Sequence, residues 1–563
     1  MSLIDRRLGL LFAAFVVFLA LILVRSAWVQ GVHGGALSAE AQSQQVENVV
    51  VPGSRGTIRD RNGRDLAVSE AAATVYATPY QVKDPEETAH KLAKVLGEND
   101  KDVLAAVADR ESGFEYIDRK VSLADAQQIS DMDLPGIGLL PDSRRIYPQG
   151  QIAAQVIGTV GIDNQGLTGL EAGDDELLHG TDGEREVTRD ALGDELERNV
   201  VTETGTGGDL KLTIDSNLQA ETERVLAGIG QTYQPKGATA IVMDPRNAQI
   251  LAMANYPSFD PADPASATPE ELANMATGFT YEPGSTFKAF TVAGALQDGV
   301  VTPSTAFDVP PMLQVADRKI EDAEAHGYLT MTVADILAQS SNIGAVKIGL
   351  ALNDKFGDSQ YGGRFDSWIH KFGFSQPTGV AFPGEEQGIL PDPVNYSGST
   401  MGNLPIGQGL SVTPLQMAAA YAAIAGDGVL RTPQLVLSEG GERVDPGAGK
   451  QVIDPGVAAE LRKMLEGVLA EGGTAEEVQV PGYTLAGKTG TAQKVVGNTY
   501  SDTKYVASFV GFAPAEDPQL LVAVVVDEPT GTDYYGGTVA APAFGEIAQY
   551  ALPYLGIPPN SGG

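Results

Sequence analysis

Cysteine is absent from the chain. No disulfide, zinc–thiolate site or thiol nucleophile can be built from it. Histidine is scarce, with His33, His90, His179, His326 and His370 the whole supply. None of them pair at metal-ligand spacing, and no Gly-x-Ser-x-Gly elbow occurs, so a zinc enzyme and a Ser-His-Asp hydrolase are both poor readings. P-loop and dinucleotide fingerprints are missing as well. Basic residues are few, 38 against 73 acidic ones for a formal charge of −35. Phosphate binding needs a basic face, so nucleic acid is not an expected partner, and the surplus of acid serves solubility.

The chain has 563 residues, 43% of them hydrophobic, enough for a packed core and for two to four domains at about 150 residues each. Leu8 to Val24 is a run of 17 residues without charge or proline, preceded by Arg6 and Arg7 and followed by Arg25. It sits at the short end of the bilayer-spanning range, with Arg25 able to snorkel and Trp28 placed as an interface anchor. A cleaved signal peptide has an apolar region of about 7–15 residues, so an uncleaved transmembrane anchor over 8–28 is expected. No Lys or Arg follows Arg25 until Arg55. The positive-inside rule then leaves residues 1–7 in the cytoplasm and sends everything after the helix outside.

Residues 29–48, rich in Gly, Ala, Ser and Gln, read as a linker. Asn62-Gly63 between two extended runs predicts a hairpin over Arg55 to Ala67. Asp84-Pro85-Glu86-Glu87 opens a helix through about Leu96. The first half holds no dense catalytic cluster and reads as an accessory domain. The texture changes near residue 209. A strand over Asp209 to Asp215 leads to a helix capped by Asp215 or Ser216. Two hairpins follow, Ala238–Met243 with Gln249–Ala254, and Tyr505–Phe512 with Leu520–Val526. Helix-like stretches lie between them, one capped by Thr413-Pro414. Two β ends around a helical middle predict an antiparallel sheet covered by helices.

A serine nucleophile without histidine needs another base, and a lysine one helical turn away serves if burial keeps it neutral. Ser285-Thr286-Phe287-Lys288 and Ser501-Asp502-Thr503-Lys504 both match Ser-x-x-Lys. Ser285 follows Glu282-Pro283-Gly284 and opens an apolar helical run, so its hydroxyl stands at a helix N-terminus with Lys288 on the same face. Ser501 falls in a polar stretch between Gly497 and Tyr505 and reads as a loop coincidence. Ser340-Ser341-Asn342 lies between two helical stretches; alone it reads as an N-cap or turn. Lys488-Thr489-Gly490-Thr491 follows an edge-strand run. Lys488 can hold a carboxylate and also depress the pKa of Lys288, and Gly490 lets a substrate backbone approach. Each element is modest alone; the ordered set is that of penicillin-binding proteins and class A β-lactamases, with Ser341 in place of Asp.

On these residues the chain resembles class B penicillin-binding proteins along most of its length. Arg55-Gly56-Thr57-Ile58-Arg59-Asp60, Arg144-Arg145-Ile146-Tyr147-Pro148, Gly166-Leu167-Thr168-Gly169-Leu170-Glu171, Tyr281 to Ser285 and Gly407-Gln408-Gly409 carry the likeness. The resemblance implies an α+β multidomain chain with one transmembrane helix, a β-rich elongated pedestal of the dimerisation type over 49–208, a serine β-lactamase-like transpeptidase domain over 209–555, and a frayed tail over 556–563. No glycosyltransferase domain precedes the pedestal, against the bifunctional class, and no C-terminal repeat modules are found.

In such a family Ser285 attacks the penultimate D-Ala carbonyl of a stem peptide ending in D-Ala-D-Ala, and neutral Lys288 takes its proton. The backbone N–H groups of Ser285 and Thr491 form the oxyanion hole. Ser340 relays a proton to the leaving amine, steadied by Lys488, and Asn342 holds the peptide. Lys488, Thr489 and Thr491 bind the terminal carboxylate, with Gly490 between them. No metal or organic cofactor is implied. Implied partners are peptidoglycan stem peptides, β-lactams and the membrane, with a polytopic glycan polymerase and division scaffold proteins, since the wording around Arg55–Ser69 and Arg144–Glu171 favours the division branch over elongation. A D,D-carboxypeptidase shares the acyl-enzyme. A wall-binding scaffold or β-lactam sensor is the non-enzyme alternative. A β-lactamase would need a deacylating Glu after the Ser340 element, whereas the near match Glu270 to Asn274 precedes Ser285.

Overall fold

The computed structural model describes residues 3–33, 46–189, 195–357, 363–497, 499–531 and 533–561. Residues 34–45 of the expected linker, and the last two residues of the expected tail, lie outside the described residues. The N-terminus forms one helix, Leu3–Trp28. Its apolar span, Arg6–Gly31, has a mean hydropathy of 2.7 and no buried portion, and is long enough to cross a bilayer. The Arg25 guanidinium lies 5.1 Å from the Trp28 ring centroid.

Internal contacts divide the chain into two compact units: Met1–Ser54, Glu70–Arg144 and Gly180–Thr206 in one, Arg55–Ser69, Arg145–His179 and Gly207–Gly563 in the other. In the first, Val46–Val51, Gly183–Arg189 and Glu195–Thr202 form a three-stranded antiparallel sheet. Helices Pro85–Leu96, Asp100–Ala108 and Leu123–Ser130 bury Leu92, Val107 and Ile129 with Val75 and Val82 in a small core. The Pro85 helix starts as its sequence dictates. The Asp84 side chain accepts from the Glu87 N–H, proline takes the first turn, and Gly97 ends it at φ 74°.

The second unit is built on a five-stranded antiparallel sheet of β1 (Gly237–Asp244), β2 (Gln249–Tyr256), β3 (Ala486–Val496), β4 (Thr499–Ala513) and β5 (Leu520–Asp527), in the order β2-β1-β5-β4-β3. Both hairpins form as the apolar runs predict. β1 and β5 are buried along their whole length, as strands covered on both faces must be. Helices α1 (Ser216–Tyr233) and α7 (Ala541–Tyr554) pack on the sheet and on each other. The helices α2 (Lys288–Gln297), α3 (Val333–Ala338), α4 (Asn342–Lys355), α5 (Pro414–Ala425) and α6 (Pro455–Glu466) form the remaining cover. Asp215 caps α1 by accepting from Asn217 and Leu218 N–H. Thr413 and Gln416 make a reciprocal capping box on α5.

The motifs ahead of residue 209 converge in this second unit. Glu171 is fully buried, and its two oxygens receive Arg55 Nε at 2.8 Å and Arg145 Nε at 2.7 Å. Arg55 also donates to the carbonyls of Asn164 and Glu171 and to Asp175, and Arg145 to the Gly56 carbonyl. Buried guanidinium groups must be paired and hydrogen-bonded, and this network pairs both and satisfies all but the buried Nη2 of Arg145. Asp60, in the Asn62-Gly63 turn, accepts from the Ser216 hydroxyl at 2.7 Å and from Asn62 and Arg64 N–H. The sequence leaves 556–563 as a frayed tail, but Ile557 is buried and Asn560 donates from its backbone to the Gly482 carbonyl and from its side chain to Thr484 and Glu516. An apolar side chain and one amide tie down a terminus that its Pro-Asn-Ser-Gly composition reads as loose.

Candidate active site

Ser285 sits in a single 3-10 turn, Gly284–Phe287, that runs into α2. Gly284 takes φ 54° and donates its N–H to the Gly407 carbonyl at 3.0 Å. Gly407, at φ 75°, lies so close that an added Cβ would fall 2.2 Å from the Gly284 oxygen. No other residue type fits that approach. Gly409 donates to Glu282, and Gln408 accepts from Arg318. The Gly-Gln-Gly segment is therefore the seat of the serine turn.

Lys288 follows three residues later and is 1% exposed. Its Nζ donates to the Ser340 carbonyl, to Ser340 Oγ at 3.2 Å and to Asn342 Oδ1 at 2.7 Å. Burial pushes its pKa down to about 7, against the opposing pull of the Asp322 carboxylate. Ser340 and Asn342 stand where α3 ends and α4 begins. Ser340 adopts φ 63°, a left-handed conformation that costs a non-glycine residue on the order of 1–3 kcal/mol and persists only where its surroundings hold it. Ser341 caps α4 by accepting from the Gly344 N–H at 3.0 Å. The cap falls to Ser341, while Ser340 and Asn342 turn to Lys288. Asn342 Nδ2 donates to the Glu321 carbonyl at 2.9 Å.

Lys488, Thr489, Gly490 and Thr491 lie within β3, at the edge of the sheet. Lys488 is fully buried, and its Nζ reaches Thr489 Oγ1 at 3.3 Å. Its pKa falls well below the usual lysine value because of burial first and the charge of Lys288 second. The depression expected of Lys488 upon Lys288 therefore runs the other way. Burial is what lowers Lys288. Thr489 Oγ1 is 2.7 Å from Thr474 Oγ1, and Thr491 Oγ1 accepts from the Gly536 N–H. A Cβ on Gly490 would lie 2.4 Å from Ser508 Oγ and 2.9 Å from the Pro283 oxygen, and one on Gly284 would lie 3.3 Å from the Thr491 oxygen. The strand and the serine turn meet backbone to backbone.

The structure thus brings Ser285, Lys288, Ser340, Asn342, Lys488, Thr489, Gly490 and Thr491 to one place. Ser501 goes elsewhere. It belongs to β4 rather than to a loop, because the β3–β4 pairing continues past it to Val496 and Thr499, and its hydroxyl accepts from the Thr503 and Lys504 N–H groups. Two groups escaped the sequence reading. Tyr505, Tyr534 and Tyr535 stack with ring centroids 4.0 and 4.6 Å apart, next to the Gly536 that bonds Thr491. Asp322 and His326 lie behind Ser341. The adjacent tyrosines were the one visible signal of the first.

Residues 238–549 match the penicillin binding protein transpeptidase domain, and residues 50–212 the penicillin-binding protein dimerisation domain. Stage V sporulation protein D of Bacillus subtilis (strain 168) is 38% identical, with 99% of this chain and 86% of that protein covered. Peptidoglycan D,D-transpeptidase FtsI of Escherichia coli (strain K12) is 33% identical, over 99% of this chain and 93% of its own. The crystal structure of penicillin binding protein 3 from Mycobacterium tuberculosis complexed with aztreonam matches with a TM-score of 0.70 at 28% identity, covering 91% of this chain and 98% of that one. A transpeptidase-domain match over more than half of the sequence, together with relatives above 30% identity along nearly all of it, makes this chain a member of the class B penicillin-binding proteins.

Proposed function

We propose that the protein is a serine D,D-transpeptidase that cross-links peptidoglycan stem peptides through an acyl-serine at Ser285 and is acylated there by β-lactams. The observation that carries this reading is Lys288. It is a fully buried lysine with a pKa near 7, one turn after a serine, with its Nζ on Ser340 and Asn342. A neutral amine there can take the Ser285 proton as Oγ attacks the carbonyl carbon of the penultimate D-Ala. The N–H groups of Ser285 and Thr491 receive the oxyanion. Collapse breaks the C–N bond. The proton passes from Lys288 through the Ser340 hydroxyl, 3.2 Å away, to the leaving D-Ala nitrogen. The amine of a second stem peptide then attacks the ester, gives a proton to Lys288, and Ser285 Oγ recovers one as it leaves.

Lys488 supplies the charge for the terminal carboxylate. An arriving anion raises its pKa and restores the ammonium that burial opposes. Thr489 and Thr491 hydroxyls complete that pocket beside Gly490. Asn342, with its amide oxygen on Lys288 and its amide nitrogen on Glu321, holds the base as well as the peptide. The tyrosine stack beside Gly536 gives the apolar wall for the substrate's methyl groups.

The division branch is favoured by the wording of Arg55–Ser69 and Arg144–Glu171, and a polytopic glycan polymerase and division scaffold proteins are the corresponding partners. Arg6 and Arg7 ahead of the apolar helix support an orientation with the N-terminus in the cytoplasm and the two units outside. Intact-mass measurement after benzylpenicillin, beside a Ser285→Ala variant, tests the acyl-serine. A fluorescent fusion concentrated at the septum supports the division role, and a fusion spread evenly along the lateral wall counts against it.

A further inference from the structure

Asp322 lies between the short strands Arg318–Ile320 and Leu329–Thr332, four residues ahead of His326. Its carboxylate is 11% exposed and receives four donors. Oδ1 accepts from the backbone N–H of Asn342 at 2.5 Å and of Ile343 at 3.0 Å. Oδ2 accepts from Ser341 Oγ at 2.8 Å and from His326 Nε2 at 3.0 Å. The first two donors belong to the first turn of α4, where N–H groups have no partner within the helix and a negative charge is favoured. His326 Nδ1 lies 2.6 Å from the Gly327 carbonyl oxygen. A carboxylate and a carbonyl oxygen can only accept, so both bonds are made at once only when both ring nitrogens carry protons. Consistent with this, its pKa is raised by the Gly327 carbonyl first and Asp322 second.

This cluster grips Ser341 and the start of α4 from one side, while Ser340 and Asn342 face Lys288 from the other. Ser340 needs such a grip, because its φ of 63° is a conformation its own preferences do not supply. We propose that Asp322, clamped by His326, is a positioning residue for acylation: it holds the Ser340–Asn342 segment against Lys288 and brings a negative charge to that segment. The proposal rests on the acyl-serine reading above. Charged groups around the pair are Lys288 from α2 and, beyond it, Lys488 from β3, while Glu321 and Glu324 on the pair's own loop are exposed.

The sign of each effect follows. The Asp322 charge raises the pKa of Lys288. In Asp322→Asn, Oδ1 still accepts from Asn342 and Ile343, and Nδ2 donates to Ser341 and to a now neutral His326. Shape is kept and both charges of the pair are lost; because His326 reaches the segment only through Asp322, loss of the Asp322 charge outweighs it, and the acid limb of the acylation profile moves to lower pH. His326→Gln keeps a donor on Asp322 but removes the positive charge, so the limb moves to higher pH. Asp322→Ala loses the clamp, and misplacement of the reacting groups costs about 10–100-fold across the profile.

The experiment measures second-order acylation of the detergent-solubilised full-length protein by benzylpenicillin from pH 5 to 9, with a thermal melt of each variant. Expected are a high-pH rate in Asp322→Asn within a few-fold of the parent with its limb lowered, a limb raised in His326→Gln, and the loss in Asp322→Ala. If Asp322→Ala does not fold, the two limb shifts in the folded variants decide the matter. Unmoved limbs in Asp322→Asn and His326→Gln, whatever their stability, would overturn the proposal. A parent protein that takes no benzylpenicillin at any pH sinks the acyl-serine reading instead.

Discussion

At the scale of single residues, Lys288 decides the chemistry. A lysine with its ordinary pKa is almost wholly protonated at neutral pH and is no base. With the value pushed down to about 7, roughly half is neutral there. Because the neutral form is the base, acylation by benzylpenicillin rises with pH through about 7 and levels off above it, falling about tenfold per unit below. Stopped-flow rates across that range check this; a flat profile would mean that Lys288 is not the base. Lys288→Arg keeps a cation that does not deprotonate, and a loss of about 100–10,000-fold is expected. Ser285, Lys288, Ser340, Asn342 and the Lys488–Thr491 segment were legible in the sequence because each short motif came in order and in the right local context. The direction of the Lys288–Lys488 influence was not, since it depends on how deeply each is buried. Asp322 was invisible for a related reason: a lone Asp in a loop shows its role only when Ser341 folds back upon it.

At the scale of elements, two supports hold the site. The first is the serine turn on Gly407. Gly407→Ala would need a Cβ 2.2 Å from the Gly284 oxygen at a backbone φ of 75°. The turn must shift, and acylation should fall by about 10–100-fold while the melting temperature drops modestly. Parent-like acylation in that variant would show that the seat does not position Ser285. The second is the Glu171 network. Glu171→Gln leaves Arg55 and Arg145 buried without their shared countercharge, and urea unfolding should show a loss of about 3–5 kcal/mol. A loss below about 1 kcal/mol would show that water or other oxygens replace it. The hairpins, the capped helices and the covered sheet were legible because periodicity and capping chemistry are local signals. That Arg55, Arg145 and Glu171 meet was not legible. Their separations of 116 and 26 residues carry no local pattern, and Arg55 falls outside the stretch where catalytic motifs cluster.

At the scale of the whole molecule, one apolar helix and two compact units describe a membrane-attached enzyme. The absence of native cysteine makes its topology easy to test. A single Ser501→Cys substitution, on β4, should react with a membrane-impermeant maleimide on intact spheroplasts. Protection until lysis would put the second unit in the cytoplasm and contradict the orientation drawn from Arg6 and Arg7. The central claim is that Ser285 is the residue that carries the acyl group. Its most direct test is the intact mass of the full-length protein after benzylpenicillin, with Ser285→Ala beside it. A single stable adduct on the parent, absent from the variant, is the predicted result. An adduct of the same mass on the variant would place the nucleophile at another residue and contradict the account.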